Sequence, residues 1–80
     1  MSNYLAFDVS IENDDLTLTH VSGVTVKVRD VTHGADLANL VADGNGHVAA
    51  GSYAVAVGTL LRFRVENYQG RSGYLEQVTT

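Results

Sequence analysis

The chain has 80 residues, of which 45% are hydrophobic and 18% are charged, and it has a net charge of −4 and neither cysteine nor proline. This length predicts a single domain over residues 1–80 that buries only about 60% of its unfolded surface. Disulfides and cysteine-based zinc sites are excluded, and no apolar run is long enough to cross a bilayer. We expect a soluble globular domain.

Charge is distributed unevenly. The first twenty residues contain Asp8, Glu12, Asp14 and Asp15 but no Lys or Arg, whereas the remainder has five basic and five acidic residues. This balance argues against nucleic-acid binding, which needs a dense positive field. The acidic end favours either a solvated edge or a head-to-tail contact between copies. The N-terminus lacks the pattern of a secretory signal, so we expect a cytoplasmic or virion location.

Apolar and polar residues alternate along most of the chain, which predicts β-strands. The first strand places Leu5 inward together with Phe7, Val9 and Ile11, and a turn over residues 13–15 makes a hairpin with a second strand. That second strand has Leu16, Leu18 and His20 on one side. The predicted strands cover residues 5–11, 16–21, 23–31, 35–42, 52–57, 60–66 and 74–78.

Two of these segments have distinctive patterns. Residues 35–42 are ambiguous, because Leu37, Leu40 and Val41 fit one face of a helix while the length and the flanking glycines favour a strand. Residues 52–57 place Tyr53, Val55 and Val57 on one face. Residues 67–73, between the last two strands, have the composition of a loop.

About seven short strands, separated by turn signals every 8 to 12 residues or so, are typical of an antiparallel β-sandwich. We therefore predict an all-β fold of this kind. Proline commonly protects edge strands from pairing with a neighbouring molecule, and this chain has none. Its edges are less guarded than usual.

The segment Asp43-Gly44-Asn45-Gly46-His47 has oxygen ligands at alternate positions, as a calcium loop does. It lacks the later acidic residue that would close the coordination shell. Asp-Gly and Asn-Gly are also preferred in type I′ turns, where both central residues have positive φ. We interpret the segment as a turn between two strands and predict no metal or other cofactor.

Catalytic residues are not grouped in a recognisable way. His20, His33 and His47 are candidates for zinc binding or base catalysis, but each is near a turn and their spacing suits neither role. No serine has the Gly-x-Ser-x-Gly context of a nucleophile. Asp14 and Asp15 are adjacent in a turn, where solvent opposes a raised pKa. We predict that the protein is not an enzyme.

Two clusters are candidate interaction sites. The outward residues Lys27 and Arg29, with Arg62 and Arg64, would form a basic patch if their strands were adjacent, and the alternative is a solvated face of mixed charge. Tyr68 and Tyr74 flank a segment that contains Arg71. Tyrosine and arginine dominate binding energy at many interfaces, so this segment is our first choice for a contact site.

The order of the central motifs resembles that of the carboxypeptidase regulatory-like and Cna-B-like domains of the transthyretin-like group. The resemblance covers residues 23–57 and includes a Gly-Val-Thr-Val-Lys-Val strand, a Thr-His-Gly turn, the Asp43 to Gly46 hairpin and a Gly-Ser-Tyr-Ala-Val strand. Such domains usually have a proline before the last of these motifs, where this chain has Ala49-Ala50. Lys27 is predicted to face outward, so the isopeptide chemistry of some Cna-B domains is not carried over.

The resemblance implies a non-enzymatic scaffold or adhesion module. A small β-domain without cysteine also resembles the accessory, decoration and tail proteins of phage virions. We therefore expect a structural or interaction subunit whose partners are copies of itself or another subunit of an assembly. The alternative is a module that binds carbohydrate or a cell-surface ligand through the Tyr68 to Tyr74 segment.

Overall fold

The computed structural model describes residues 2–80, which form an all-β structure without a helix in that range. The strands pair antiparallel, and the principal extents are 40 × 20 × 19 Å. The eleven strands are β1 (Ser2–Tyr4), β2 (Phe7–Asp8), β3 (Ser10–Glu12), β4 (Leu18–His20), β5 (Thr25–Asp30), β6 (Ala35–Asp36), β7 (Leu40–Val41), β8 (His47–Val48), β9 (Gly51–Tyr53), β10 (Leu60–Tyr68) and β11 (Arg71–Val78).

The largest sheet has the order β11-β10-β5-β6, and β7 also pairs with β5. Alternation along β5 buries Val26 and Val28, and alternation along β10 buries Leu61 and Phe63. Each such side chain contributes roughly 1.5–3 kcal/mol through burial. The inner face of this sheet therefore anchors the core, in the phase that the sequence predicts.

The N-terminal segment forms three short strands instead of one. β1 pairs with β9, β2 with β8 and β3 with β4. Alternation breaks at Leu5 and Ala6, so that Tyr4 is buried before the break and Phe7 is half-buried after it. The predicted inward position of Leu5 is wrong, because its side chain is 72% exposed. Leu5 and Ala6 lie outside the ladder and shift the alternation of inward and outward side chains by one residue, as in a β-bulge.

Other breaks explain why residues 2–80 form eleven strands where the sequence predicts about seven. The hairpin of β3 and β4 forms as predicted, but Leu16, Leu18 and His20 are all exposed and Val21 is buried instead. The strand predicted over residues 52–57 ends at Tyr53. Each break leaves apolar side chains outside the core that a continuous strand would have buried.

The ambiguous segment 35–42 remains beside β5 throughout as two strands, and it is not a helix. Leu37 N–H donates to Val28 O at 2.8 Å, and Ala42 N–H donates to Val24 O at 2.9 Å. The register with β5 shifts by one residue between the two strands: the numbers of two paired residues add up to 65 in β6 and to 66 in β7. One extra residue between these strands is a bulge, which divides a single predicted strand into two.

Aromatic rings fill the space between the large sheet and the N-terminal strands. Tyr4 stacks on Tyr53 with ring centroids 5.5 Å apart, and Phe63 lies 5.3 Å from Tyr4 and 5.0 Å from Phe7. The Tyr53 hydroxyl donates to Ala38 O at 2.8 Å. Burial, with a smaller effect from Tyr4, raises the pKa of Tyr53 to about 12. The hydroxyl therefore remains a donor at neutral pH.

The N-terminal segment and the end of the chain after β11 are joined by a pair of backbone hydrogen bonds. Asn3 N–H donates to Thr80 O at 2.9 Å, and Thr80 N–H donates to Asn3 O at 3.2 Å. Beyond this pair, β11 and the N-terminal segment separate. The amide side chain of Gln77 accepts from Leu5 N–H at 2.7 Å and donates to Leu5 O at 3.0 Å. A side chain thus bonds where a further ladder pair would otherwise continue.

Candidate interaction surfaces

The four basic residues singled out in the sequence lie together on the outer face of the large sheet. β5 and β10 are adjacent, and their register places Arg62 opposite Arg29 and Arg64 opposite Lys27. All four side chains point away from the core, as predicted. Like charges directly opposite each other destabilise a sheet unless carboxylates lie among them.

Three carboxylates lie among these four cations. Glu66 contacts Lys27 at 3.1 Å and Arg64 at 2.6 Å, and its pKa is held below the ordinary range by the Lys27 hydrogen bond and by both positive charges. Further pairs join Arg29 to Asp36 at 2.6 Å and Arg62 to Glu76 at 3.0 Å. Exposed pairs contribute at most about 1 kcal/mol each. The face carries mixed charge and does not present a strong positive field.

The segment 67–73 is not the loop that the sequence predicts. β10 and β11 continue through it to a two-residue turn, in which Gln69 and Gly70 have φ of 49° and 73°. Positive φ at both central positions is the signature of a type I′ turn. A bulge between Val65 and Tyr68 absorbs Asn67, which also has positive φ. Composition suggested a longer loop because Gly70, Ser72 and Gly73 are common in loops, but Ser72 and Gly73 belong to β11.

This geometry separates the predicted contact residues. Tyr74 lies on the outer face with its ring 5.0 Å from the Arg62 guanidinium and 65% exposed. Arg71 is on the other side of β11, and its guanidinium donates to Glu12 O at 3.2 Å. Tyr68 is paired with Arg71 across the hairpin and is half-buried. Tyr68 and Arg71 therefore belong to one surface, and Tyr74 belongs mainly to the outer face.

A groove of about 330 Å³ separates the N-terminal strands from the β10–β11 hairpin. Its lining is mainly apolar and includes Phe7, Val9, Ile11, Val65 and Leu75. Arg71 crosses one end of it through the bond to Glu12. Sequence reasoning missed this groove, because its walls come from opposite ends of the chain.

The turn between β3 and β4 holds an unusual leucine. Asn13 N–H donates to Thr17 O at 2.8 Å, and Leu16 N–H donates to Asn13 O at 2.9 Å, which gives a three-residue loop. Leu16 occupies its left-handed position, with φ of 71°, and is 77% exposed. The Asp15 carboxylate accepts from the Thr17 hydroxyl and N–H, and these bonds lower its pKa. Polar bonds therefore hold a backbone conformation that leucine disfavours.

The segment Asp43 to His47 forms a turn, as predicted, with the same bonding pattern. Asp43 N–H donates to His47 O at 3.0 Å, and Gly46 N–H donates to Asp43 O at 3.1 Å. Only Gly46 has positive φ, so the type I′ assignment is wrong; the loop resembles a type I turn followed by a left-handed residue. The Asp43 carboxylate accepts from the N–H groups of His47 and Asn45, which lowers its pKa. Its oxygens serve the turn.

Two histidines pair with carboxylates. His47 Nδ1 lies 2.8 Å from Asp8 on the surface, and His33 Nδ1 lies 2.7 Å from the buried Asp30. Burial would raise the pKa of Asp30, but the His33 N–H, its ring and the Thr32 N–H together hold it below the ordinary value. His20 is exposed opposite Ser10. Among residues 2–80, no three His, Cys, Asp or Glu side chains converge as metal ligands would.

No protein-family model matches the chain, and comparison with curated proteins and with solved structures gives no significant match. Within the described residues there is no helix of the length and apolar character needed to span a membrane.

Proposed function

We propose that this chain is a non-catalytic structural or interaction subunit of a larger assembly, such as an accessory, decoration or tail component of a virion. The observation that carries this proposal is the exposed Leu16 with its positive φ. A left-handed conformation costs a non-glycine residue about 1–2 kcal/mol. Leu16 incurs this cost without burial in return, which favours a role in contact with another molecule.

The turn between β7 and β8, which has the same bonding pattern as the turn at Leu16, supports this interpretation. The residue at the same position between β7 and β8 is Gly46, the residue that this conformation favours. Leu18, on the same hairpin, is 64% exposed and adds a second apolar side chain. The hairpin tip also carries Asp14 and Asp15, so a partner surface would be apolar with a basic rim.

We infer that the paired sheets make up a small β-sandwich of the transthyretin-like type. Phe63 of the large sheet packs with Tyr4 and Phe7, and Tyr4 stacks on Tyr53, so the rings join the large sheet to the β1–β9 and β2–β8 sheets, which supports two layers with an aromatic core. A scaffold of this type presents hairpin tips and strand edges to partners. The alternative function, carbohydrate binding by Tyr68 and Tyr74, has less support because the two rings do not form one platform.

The experiment compares Leu16→Gly with the native chain. We expect the variant to be more stable by about 1 kcal/mol, because the positive φ is relieved, and to associate more weakly in sedimentation and light scattering or to be lost from native particles. Leu5→Ala, which removes an exposed leucine elsewhere, is the matched control and should leave association unchanged. A native chain that stays monomeric at every concentration, and that occurs free in electron micrographs of its source material, would refute the proposal.

A further inference from the structure

The groove between the N-terminal strands and β11 is bordered by two strand edges. On β10, Leu60 O accepts from Val31 N–H, so even-numbered residues bond to β5 and odd-numbered ones to β11. Just beyond β11, Thr79 N–H donates to Thr59 O, so the bonding of odd-numbered residues continues there. The backbone groups of Tyr74 and Glu76 therefore point away from β10, and β11 pairs with no other strand among residues 2–80.

The N-terminal border of the groove also directs backbone groups away from its own ladder. Val21 N–H donates to Val9 O, and Asn13 N–H donates to Thr17 O, so odd-numbered residues of this segment bond towards β4. The backbone groups of Ser10 and Glu12 therefore point towards the groove. Glu12 O accepts from Arg71, and the described residues provide no backbone partner for Ser10 on this side.

The two borders are connected at both ends. The mutual bonds of Asn3 and Thr80 fix them antiparallel at one end, and the bond from Arg71 to Glu12 crosses the other. Between these points the apolar side chains of Phe7, Ile11 and Leu75 line the groove. Outward-directed N–H and C=O groups on both sides of an apolar floor are what an extended strand requires, since it bonds through its backbone and inserts alternate side chains.

We propose that this groove binds an extended segment of a partner polypeptide in which apolar residues alternate with basic ones. The apolar residues would enter the groove and the backbone would bond to the edges at Tyr74 and Ser10. Charge favours the basic partner, because Asp8 and Glu12 line the groove against one cation, Arg71, and the chain carries −4 overall. That net charge also disfavours a second copy as the occupant. The proposal rests on the function proposed above but uses a different surface.

The test uses a fluorescein-labelled, end-capped Lys-Val repeat peptide of eight residues, the length of β11. We expect saturable binding in fluorescence anisotropy and slower hydrogen exchange at the Tyr74 and Glu76 amides. Alternate N-methylation of the peptide should abolish binding, and a Glu-Val repeat should bind more weakly by at least about tenfold, equivalent to 1.4 kcal/mol.

The matched protein variants are Tyr74→Pro and Tyr74→Ala. Both substitutions remove the aromatic ring of Tyr74. Only proline also removes the edge-facing N–H, which is not used in the ladder to β10. We expect Tyr74→Pro to weaken peptide binding at least about tenfold relative to Tyr74→Ala, with circular dichroism checking that both are folded. If Tyr74→Pro unfolds, the N-methylated peptide tests the same bonds on the native chain.

Equal binding by the two variants, or no binding of the Lys-Val peptide to the native chain, would overturn strand insertion. Equal affinity for the Glu-Val peptide would overturn the assigned charge, and competition between peptide and self-association would identify a second copy as the occupant. Leu16→Gly should bind the peptide normally, because Leu16 does not line the groove. A negative peptide result together with weaker assembly of Leu16→Gly would leave the proposed function intact.

Discussion

Replacing Gly46 by alanine tests how the turn between β7 and β8 is held against the N-terminal strand. A Cβ at this position would lie 2.6 Å from Val9 O and 3.0 and 3.1 Å from Val21 O and N. These are backbone atoms, and Val9 N–H also donates to Gly46 O at 2.7 Å. The new methyl group therefore cannot be accommodated by rotating a side chain.

The expected loss of folding stability in Gly46→Ala has two sources. The left-handed conformation, with φ of 74°, costs alanine about 1–2 kcal/mol, and overpacking against rigid backbone costs about 1–3 kcal/mol more. The sum, about 2–5 kcal/mol, is a large share of the roughly 4–12 kcal/mol expected for a domain of this size. We expect the midpoint of thermal unfolding to fall by at least about 10 °C.

Urea and thermal unfolding followed by circular dichroism would measure this loss. The matched control is Gly44→Ala in the same turn, where a Cβ would meet nothing within 4 Å and φ is not positive. It should be neutral or slightly stabilising, because alanine restricts the unfolded chain. If both variants melted within a few degrees of each other, the close approach of Gly46 to Val9 and Val21 would be refuted.

Two further predictions test the burial pattern and the Asp30 pair. Leu61→Ala, at a fully buried position, should lose about 2–5 kcal/mol in urea unfolding, whereas Leu5→Ala should change stability by less than about 0.5 kcal/mol; a large loss at Leu5 would contradict the phase break after Tyr4. The folded-state pKa of Asp30 lies below its ordinary 3.8, so the stability from this group is present above about pH 4 and is lost as pH falls through the folded value. Asp30→Asn should therefore melt lower than the native chain at pH 6, with the difference shrinking below pH 4, and a difference independent of pH would contradict the linkage.

The sequence predicts the parts of the fold in which local pattern and tertiary packing agree. β5 and β10 have strict alternation with charged outward residues, so their buried valines, Leu61 and Phe63 follow from periodicity alone. The outward position of Lys27, Arg29, Arg62 and Arg64 follows from the same pattern. The turn at Asp43 to His47 is predicted from composition, although its type depends on the contact of Gly46 with Val9 and Val21.

The rest depends on pairings that local pattern does not encode. Leu5 satisfies a strand pattern but lies at a phase break, so its predicted inward position is wrong, and Leu16 and Leu18 share one side of a strand pattern but are exposed on the hairpin. The bulge in segment 35–42 and the turn at Gln69-Gly70 are fixed by register with β5 and by the continuing β10–β11 ladder. The groove forms only when Asn3 meets Thr80, a pairing between the two ends of the described chain.

The two three-residue turns differ in how freely their sequences can change. Both use one left-handed residue, but Gly46 is surrounded by backbone atoms while Leu16 is open to solvent. A saturation library would therefore return almost only glycine at position 46 and a broad set of residues at position 16. A single substitution at the hairpin tip can accordingly change the exposed surface without altering the core.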